Sequence, residues 1–213
     1  MKAPESLPAE LFLLAYDPRK GKLTQRAHLG YLLRAAALAE LLLGGQIVET
    51  DGKVNPGKAK AGAPDPLSRT VLGQVTETPG KKWHHWIRKD YRAAVGVVRD
   101  QLEADRVIKV EKYRVLGLFP GTRVTLRQPR VASRLVSRVG STVRGSQPLS
   151  RMDPRDATLT ALVTTAGLNV VLSRAQRRQA KTRIAQLNEI AGPVPAALRK
   201  VIRDANAAAA SSG

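Results

Sequence analysis

The stretch LGYLLRAAALAELLL, residues 29–43, decides the fold of this chain. A membrane-spanning helix needs about 20 consecutive apolar residues, so this shorter stretch, which contains Arg34 and Glu40, is not a span. Its apolar residues point in nearly every direction of a 3.6-residue period: Leu29, Leu32, Leu33, Ala36, Ala37, Leu41 and Leu42. The pattern therefore predicts a helix enclosed by other helices and ended by Gly44 and Gly45.

Arg34 is the unusual member of this stretch. An ionised guanidinium inside a buried helix is costly unless its end reaches water, a carboxylate or an anionic ligand. Two interpretations stay open from the sequence: a structural pairing with a neighbouring Asp or Glu, or a role in binding an anion.

Length and composition favour one globular domain. A chain of 213 residues with 43% hydrophobic content can close a core without disulfides or metals. It has no cysteine, which excludes a disulfide framework and a thiol nucleophile and fits a reducing cytoplasm. Acidic residues around a very short apolar run at the N-terminus argue against a secretory signal, so we expect a cytoplasmic protein. We predict a domain over residues 7–206, with residues 1–6 and 207–213 flexible.

Most of the remaining chain has helical periodicity. The predicted fold class is mainly α: a single globular domain with buried central helices surrounded by amphipathic helices, plus one or two short β-hairpins. Asp51-Gly52 is a favoured hairpin turn, and a second hairpin flanks LGLFPG at residues 116–121. Leu116, Leu118 and Phe119 lie near the tip of that second hairpin. An exposed apolar tip is typical of membrane insertion or an oligomer contact, whereas a tip folded onto the core would be structural.

Positive charge is the strongest compositional signal. Thirty-six Lys and Arg face seventeen Asp and Glu, giving a net charge of +19 and an isoelectric point near 11.1. Nine of these cations, and no carboxylate, lie between Lys112 and Met152. Within that region Arg130, Arg134 and Arg138 recur along one side of a helix beginning at Pro129, which is typical of a helix on an anionic membrane and also of a solvated basic helix. Anionic lipid and nucleic acid are the two candidate partners.

Motifs for catalysis are missing from the sequence. The three histidines do not have the spacing of a zinc helix, and neither a phosphate-binding glycine loop nor a Gly-x-Ser-x-Gly motif occurs. We therefore predict a non-enzymatic protein without a metal or cofactor. Aromatic residues make up only 4% of the chain, too few for a base-stacking surface, so nucleic-acid binding is retained as the alternative.

In chain order these segments resemble the Golgi phosphoprotein 3 family, which also has bacterial members. The resemblance covers most of residues 7–188 and is carried by LPAELFLLAYDPRKGKL, YLLRAAALAELLLGGQI, the Trp86 helix, VVRDQLEADRVI, VLGLFPGTRVTL and DPRDATLTALV. The order of the segments is more specific than any one of them. The short N-terminus is similar to the bacterial branch, for which a Golgi location would not apply.

The resemblance implies a peripheral membrane protein on the cytoplasmic face of a membrane. Eukaryotic members bind the phosphatidylinositol 4-phosphate headgroup in a basic pocket, insert an apolar hairpin, can oligomerise, and carry the cytosolic tails of membrane enzymes. By resemblance, Arg34 and Arg99 fall on the pocket's arginines, Gln25 on its tryptophan, and Gly96 on a second basic position. Arg92, one turn earlier on the same face as Gly96, is a candidate substitute.

Overall fold

The computed structural model of the chain describes residues 6–59, 65–115, 119–145 and 148–211. Its helices and strands lie in this order: α1 (Leu7–Leu14), β1 (Tyr16–Asp17), β2 (Lys22–Leu23), α2 (Leu29–Leu43), β3 (Ile47–Thr50), β4 (Lys53–Pro56), α3 (Pro66–Glu77), β5 (Lys81–Lys82), α4 (Trp83–Arg88), α5 (Tyr91–Ala104), β6 (Ile108–Val115), β7 (Phe119–Leu126), α6 (Pro129–Arg144), α7 (Pro154–Thr165), α8 (Arg174–Gln179), α9 (Lys181–Ile190) and α10 (Pro193–Ser211). The chain is a single, mainly helical domain, so the predicted fold class is confirmed.

Helix α2 is the centre of the domain. It contacts α1, α3, α4, α5, α7 and α10, which explains why an apolar residue is needed on nearly every side of it. Gly30 permits the closest of these approaches, because a Cβ there would lie 2.1 Å from the main-chain oxygen of Tyr91 at the start of α5. The prediction of an enclosed helix is confirmed.

A cluster of charged residues fastens α1 to the surrounding helices. Glu10 of α1 is buried and lies 3.0 Å from a guanidinium nitrogen of Arg138 on α6 and 3.6 Å from one of Arg155 on α7. Arg155 also reaches Glu40 at 2.6 Å, and Glu40 accepts a 2.5 Å hydrogen bond from the main-chain nitrogen of Leu7. Glu40 therefore satisfies a free amide at the start of α1 as well as a cation.

Short antiparallel pairings complete the fold. Strands β1 and β2 pair over two residues each, and β3, β4 and β5 form a three-stranded sheet. Asp51 and Gly52 both have positive φ, 52° and 71°, at the β3–β4 turn, as the sequence predicted. Strands β6 and β7 pair over eight positions, from Ile108 with Leu126 to Val115 with Phe119. The described strand pairings are thus more numerous, and the last one longer, than one or two short hairpins.

The last helix, α10, continues past residue 206, where the predicted domain ends. Helix α10 continues to Ser211, so residues 207–211 extend the helix instead of forming a separate tail. Alanines occupy residues 207–210 and have the highest helix propensity, which explains why the exposed end of the helix continues beyond its last buried contact, Val201.

Candidate functional site

The hairpin of β6 and β7 contacts α5 through β6 and β2 through β7. Near its base, Ile108 and Val124 are buried and the Ile108 end contacts α5. Farther out, Tyr113 is 47% exposed and the Arg123 guanidinium lies 5.8 Å from the centre of its ring. Thr122 is also exposed. The outer part of the hairpin is therefore on the surface of the protein, while the side chain of Phe119 and residues 116–118, including Leu116 and Leu118, lie outside the described part of the chain.

Helix α6 follows the hairpin in the chain after a two-residue link. Its apolar side, including Leu135, Val139 and Val143, is buried against the domain. Arg130 and Arg134 are exposed, and neither forms an ion pair with a carboxylate in the described ranges. Arg127, just before the helix, is exposed in the same way.

Arg138 does not belong to this exposed row. Its guanidinium lies 3.0 Å from Glu10 and 2.5 Å from Asp156, and its side chain is only 31% exposed. The buried carboxylate of Glu10 requires a cation, and a position two turns into α6 is where the helix passes α1. The prediction that Arg138 faces a membrane is corrected accordingly: Arg138 is a structural cation.

Arg34 is 1% exposed and bound to protein groups. Its Nε and Nη2 donate to the main-chain oxygen of Trp86 at 3.0 Å and 2.8 Å, and Nη2 also donates to Gln74 Oε1 at 2.9 Å. Gln74 in turn donates from Nε2 to the Asp90 carboxylate at 2.8 Å, so its amide bridges the Arg34 guanidinium and that carboxylate. Burial lowers the pKa of Arg34 to about 10, with Asp90 opposing the shift, so Arg34 remains protonated at neutral pH.

The other three residues of the predicted headgroup site lie at separate places. Gln25 has φ of 53° and donates from Nε2 to the oxygen of Gly167 at 3.2 Å. Arg92 is exposed at the start of α5, with its guanidinium 5.3 Å from the centre of the Tyr91 ring. Arg99 is partly exposed and pairs with Asp100 at 2.7 Å. Asp90 immediately precedes α5, and Arg99 lies nine positions later in the chain, which is about 13 Å along the helix axis. The described contacts of Arg34 and Arg99 are with different partners, and their joint role at a headgroup stays a prediction.

Two cavities were not predicted from the sequence. A cavity of about 770 Å³ lies between the β1–β2 turn and α6. A second cavity, shallow and open to solvent, is lined by Arg174, Arg177, Arg178 and Lys181. The run RAQRRQAK at residues 174–181, within a region from 157 to 188 that has no Asp or Glu, was the available signal for the second. No local pattern indicated the first, because its walls come from distant parts of the chain.

Within the described ranges, no helix is both long and apolar enough to span a membrane. Those ranges also contain no group of three or more His, Cys, Asp or Glu placed to hold a metal ion.

Comparison with known families agrees with the order of the segments. A family model described as Golgi phosphoprotein 3 matches residues 7–205, nearly the whole chain. The chain belongs to the Golgi phosphoprotein 3 family. No curated protein matches it. Family membership confirms the resemblance and is consistent with lipid binding and an adaptor role at the level of the family, without catalysis.

Proposed function

We propose that this protein is a peripheral membrane protein that binds anionic phospholipid on the cytoplasmic face of a membrane. The observation that carries the proposal is the basic hairpin–helix surface, defined by Arg123, Arg127, Arg130 and Arg134, all of which are exposed. No carboxylate occurs from residue 112 to residue 152, so Arg127, Arg130 and Arg134 have no carboxylate near them in the sequence, whereas Arg123 lies opposite Glu111 in the pairing of β6 with β7.

With the hairpin tip next to the arginines in the chain, apolar and charged side chains can contact a bilayer at the same time. The strand β7 leads directly into α6, so the hairpin tip and the arginine row are parts of one continuous stretch of chain. We propose that Leu116, Leu118 and Phe119 enter the bilayer interface, or contact a second copy of the chain, while the arginines remain at the headgroups. Each cation close to an anionic surface contributes roughly 1 kcal/mol to binding.

We also propose that Arg99 and Arg92 contact the headgroup, with Gln25 and Arg34 supporting the helices beside them. The proposed ligand is an anionic headgroup, with phosphatidylinositol 4-phosphate as the family-based candidate. Cytosolic tails of membrane enzymes are the corresponding protein partners. These roles rest on the family resemblance and on the exposure of Arg92 and the partial exposure of Arg99.

Vesicle co-sedimentation tests the surface with matched variants. R130Q/R134Q removes two exposed cations four residues apart on α6, and R199Q/R203Q removes two exposed cations of the same spacing on α10. Two cations at roughly 1 kcal/mol each predict about a 30-fold weaker partition of R130Q/R134Q onto anionic vesicles, with little change for the control. Equal losses in the two variants would mean that only net charge matters, and the proposed surface would be wrong.

Lipid composition and hairpin variants test the finer assignments. We expect binding to rise from phosphatidylcholine vesicles to phosphatidylserine-containing ones, and R99Q to reduce binding selectively on vesicles with phosphatidylinositol 4-phosphate. Changing Leu118 and Phe119 to Asp should weaken vesicle binding if the tip inserts. Duplex DNA is titrated in parallel over a salt series. Tight DNA binding that R130Q/R134Q weakens, with no vesicle binding, would favour the nucleic-acid alternative.

A further inference from the structure

The cavity beside α6 is an apolar groove of a size suited to a small ligand. Its volume of about 770 Å³ lies within the range of roughly 300–1,000 Å³ usual for such sites. Its apolar walls include the following residues: Leu13, Leu14, Leu126, Ala132, Val136 and Val170. Val136 of α6, one of these wall residues, is 36% exposed. The groove therefore offers apolar surface that a ligand would remove from water.

A cationic cluster, defined as Arg174, Arg177, Arg178 and Lys181, lines the second cavity. In the described structure none of Arg174, Arg178 and Lys181 forms an ion pair with a carboxylate. Burial and the positive charge of Arg174 lower the pKa of Arg177. Like charges held this close repel one another, and a bound anion would relieve that repulsion.

Asn169 connects the two cavities. It lines the apolar groove, and its Oδ1 accepts a 2.8 Å hydrogen bond from Nη2 of Arg177. Nη1 of Arg177 donates to the main-chain oxygen of Leu172 at 2.6 Å, so the guanidinium is held at the edge of the groove by two bonds. The cationic cluster thus begins where the apolar groove ends.

The rim of the groove is also basic. Arg19 and Lys20 line it and are exposed. Asp17, the carboxylate among the lining residues, is 7% exposed and accepts hydrogen bonds from the main-chain nitrogens of Arg19 and Lys20 at 2.9 Å and 3.3 Å. The Asp17 carboxylate therefore accepts hydrogen bonds within its own turn. The exposed charges on the rim are those of Arg19 and Lys20.

We propose that the groove and the cationic cluster together hold one anionic phospholipid molecule, with an acyl chain in the groove and the phosphate on Arg174, Arg178 and Lys181. The proposal rests on the proposed membrane function for the source of the ligand. A phospholipid suits this site because the groove has apolar walls for an acyl chain and the adjoining cluster has cations for a phosphate.

Titration with dihexanoyl phosphatidic acid, a monomeric short-chain lipid, tests the site without any vesicle. We expect saturable 1:1 binding by calorimetry, with an affinity at least about tenfold lower for R174Q/R178Q, because charge-assisted hydrogen bonds to the phosphate are lost. R199Q/R203Q removes the same number of cations at the same spacing on α10 and should bind as the unaltered protein does. Equal affinity in R174Q/R178Q and the unaltered protein would overturn the assignment of the cluster.

Two serine-to-tryptophan variants on α6 form a matched test of the groove. Ser133 lines the groove, and S133W should fill it and weaken binding at least about tenfold by excluding the chain. Ser141, two turns later, is exposed and does not line the groove, so S141W should retain the affinity. Glycerol 3-phosphate, which lacks chains, should bind much more weakly. If it bound as tightly as the lipid, the acyl-chain assignment would be wrong.

The two proposals fail in distinguishable ways. R130Q/R134Q should lose vesicle binding and keep dihexanoyl phosphatidic acid binding, because its substitutions leave the cationic cluster intact. Vesicle binding without any 1:1 lipid complex would refute the single-lipid site alone. A 1:1 complex without vesicle binding would leave the site standing and refute the membrane surface. Dihexanoyl phosphatidylcholine binding as tightly as phosphatidic acid would contradict the role of the cations.

Discussion

Replacing Arg34 by methionine tests whether this residue is a structural cation. Methionine keeps a long unbranched side chain in the buried helix while removing the three donated contacts to Trp86 and Gln74. Hydrogen bonds from a charged donor contribute roughly 1.5–3 kcal/mol each, and leaving the Trp86 oxygen without its partner costs roughly 1–3 kcal/mol. Against this, the variant no longer buries a charge, which offsets part of the loss. We expect a net destabilisation of about 3 kcal/mol.

Urea unfolding and thermal melting measure that loss. For a domain of this size, about 3 kcal/mol corresponds to a fall of roughly 6–12 °C in the melting temperature. R92Q is the control, because Arg92 is exposed nearby and its removal should change the unfolding free energy by less than about 0.5 kcal/mol. Vesicle binding of R34M is then compared with that of the unaltered protein at a temperature where both are folded. If R34M kept full stability and lost lipid affinity, Arg34 would be a ligand-binding residue and the structural interpretation would be refuted.

The remaining predictions concern packing and pH. G30A places a Cβ against the Tyr91 main-chain oxygen, so α2 and α5 must separate; we expect a loss of about 2–4 kcal/mol by urea unfolding, and unchanged stability would contradict the close approach. Burial raises the pKa of Glu10, an effect that Arg138 and Arg155 oppose. The folded protein therefore holds a proton that the unfolded chain releases above pH 4.5, so this contribution to stability falls as the pH rises through that window. In urea unfolding, the free energy of unfolding of the unaltered protein, measured relative to E10Q, should accordingly decrease from pH 4 to pH 7. The reverse trend would mean that the arginines affect the pKa of Glu10 more than burial does.

Much of the fold was readable in the sequence because the determining signals are local. Apolar residues on all sides of residues 29–43 require enclosure wherever the helix is placed, and the Asp51-Gly52 turn needs only its own two residues to adopt positive φ. The order of the segments identified the family. The continuation of α10 beyond residue 206 was missed, because the prediction relied on the composition of the chain's end instead of on helix propensity.

Less of the site could be predicted, because a charged residue in the sequence does not show which group its side chain will contact in the fold. Arg130, Arg134 and Arg138 have the same spacing, yet Arg138 is withdrawn from the surface by Glu10, which lies 128 residues away in the chain. Arg34 was expected to meet a carboxylate or an anionic ligand, but it meets the main-chain oxygen of Trp86 and the amide of Gln74.

The sequence by itself determined that this protein is a mainly helical, strongly basic domain, because periodicity and turn residues are properties of short segments and net charge is a sum over the chain. The order of its segments carried the resemblance to the Golgi phosphoprotein 3 family. Only the tertiary structure decided which arginines remain on the surface and which are used inside. It also decided that an apolar groove from α1, α6 and the residues after α7 meets the cations of α8 and α9. Coulombic pairing and cavity shape depend on distances between residues far apart in the chain, and those distances exist only once the helices have been packed together.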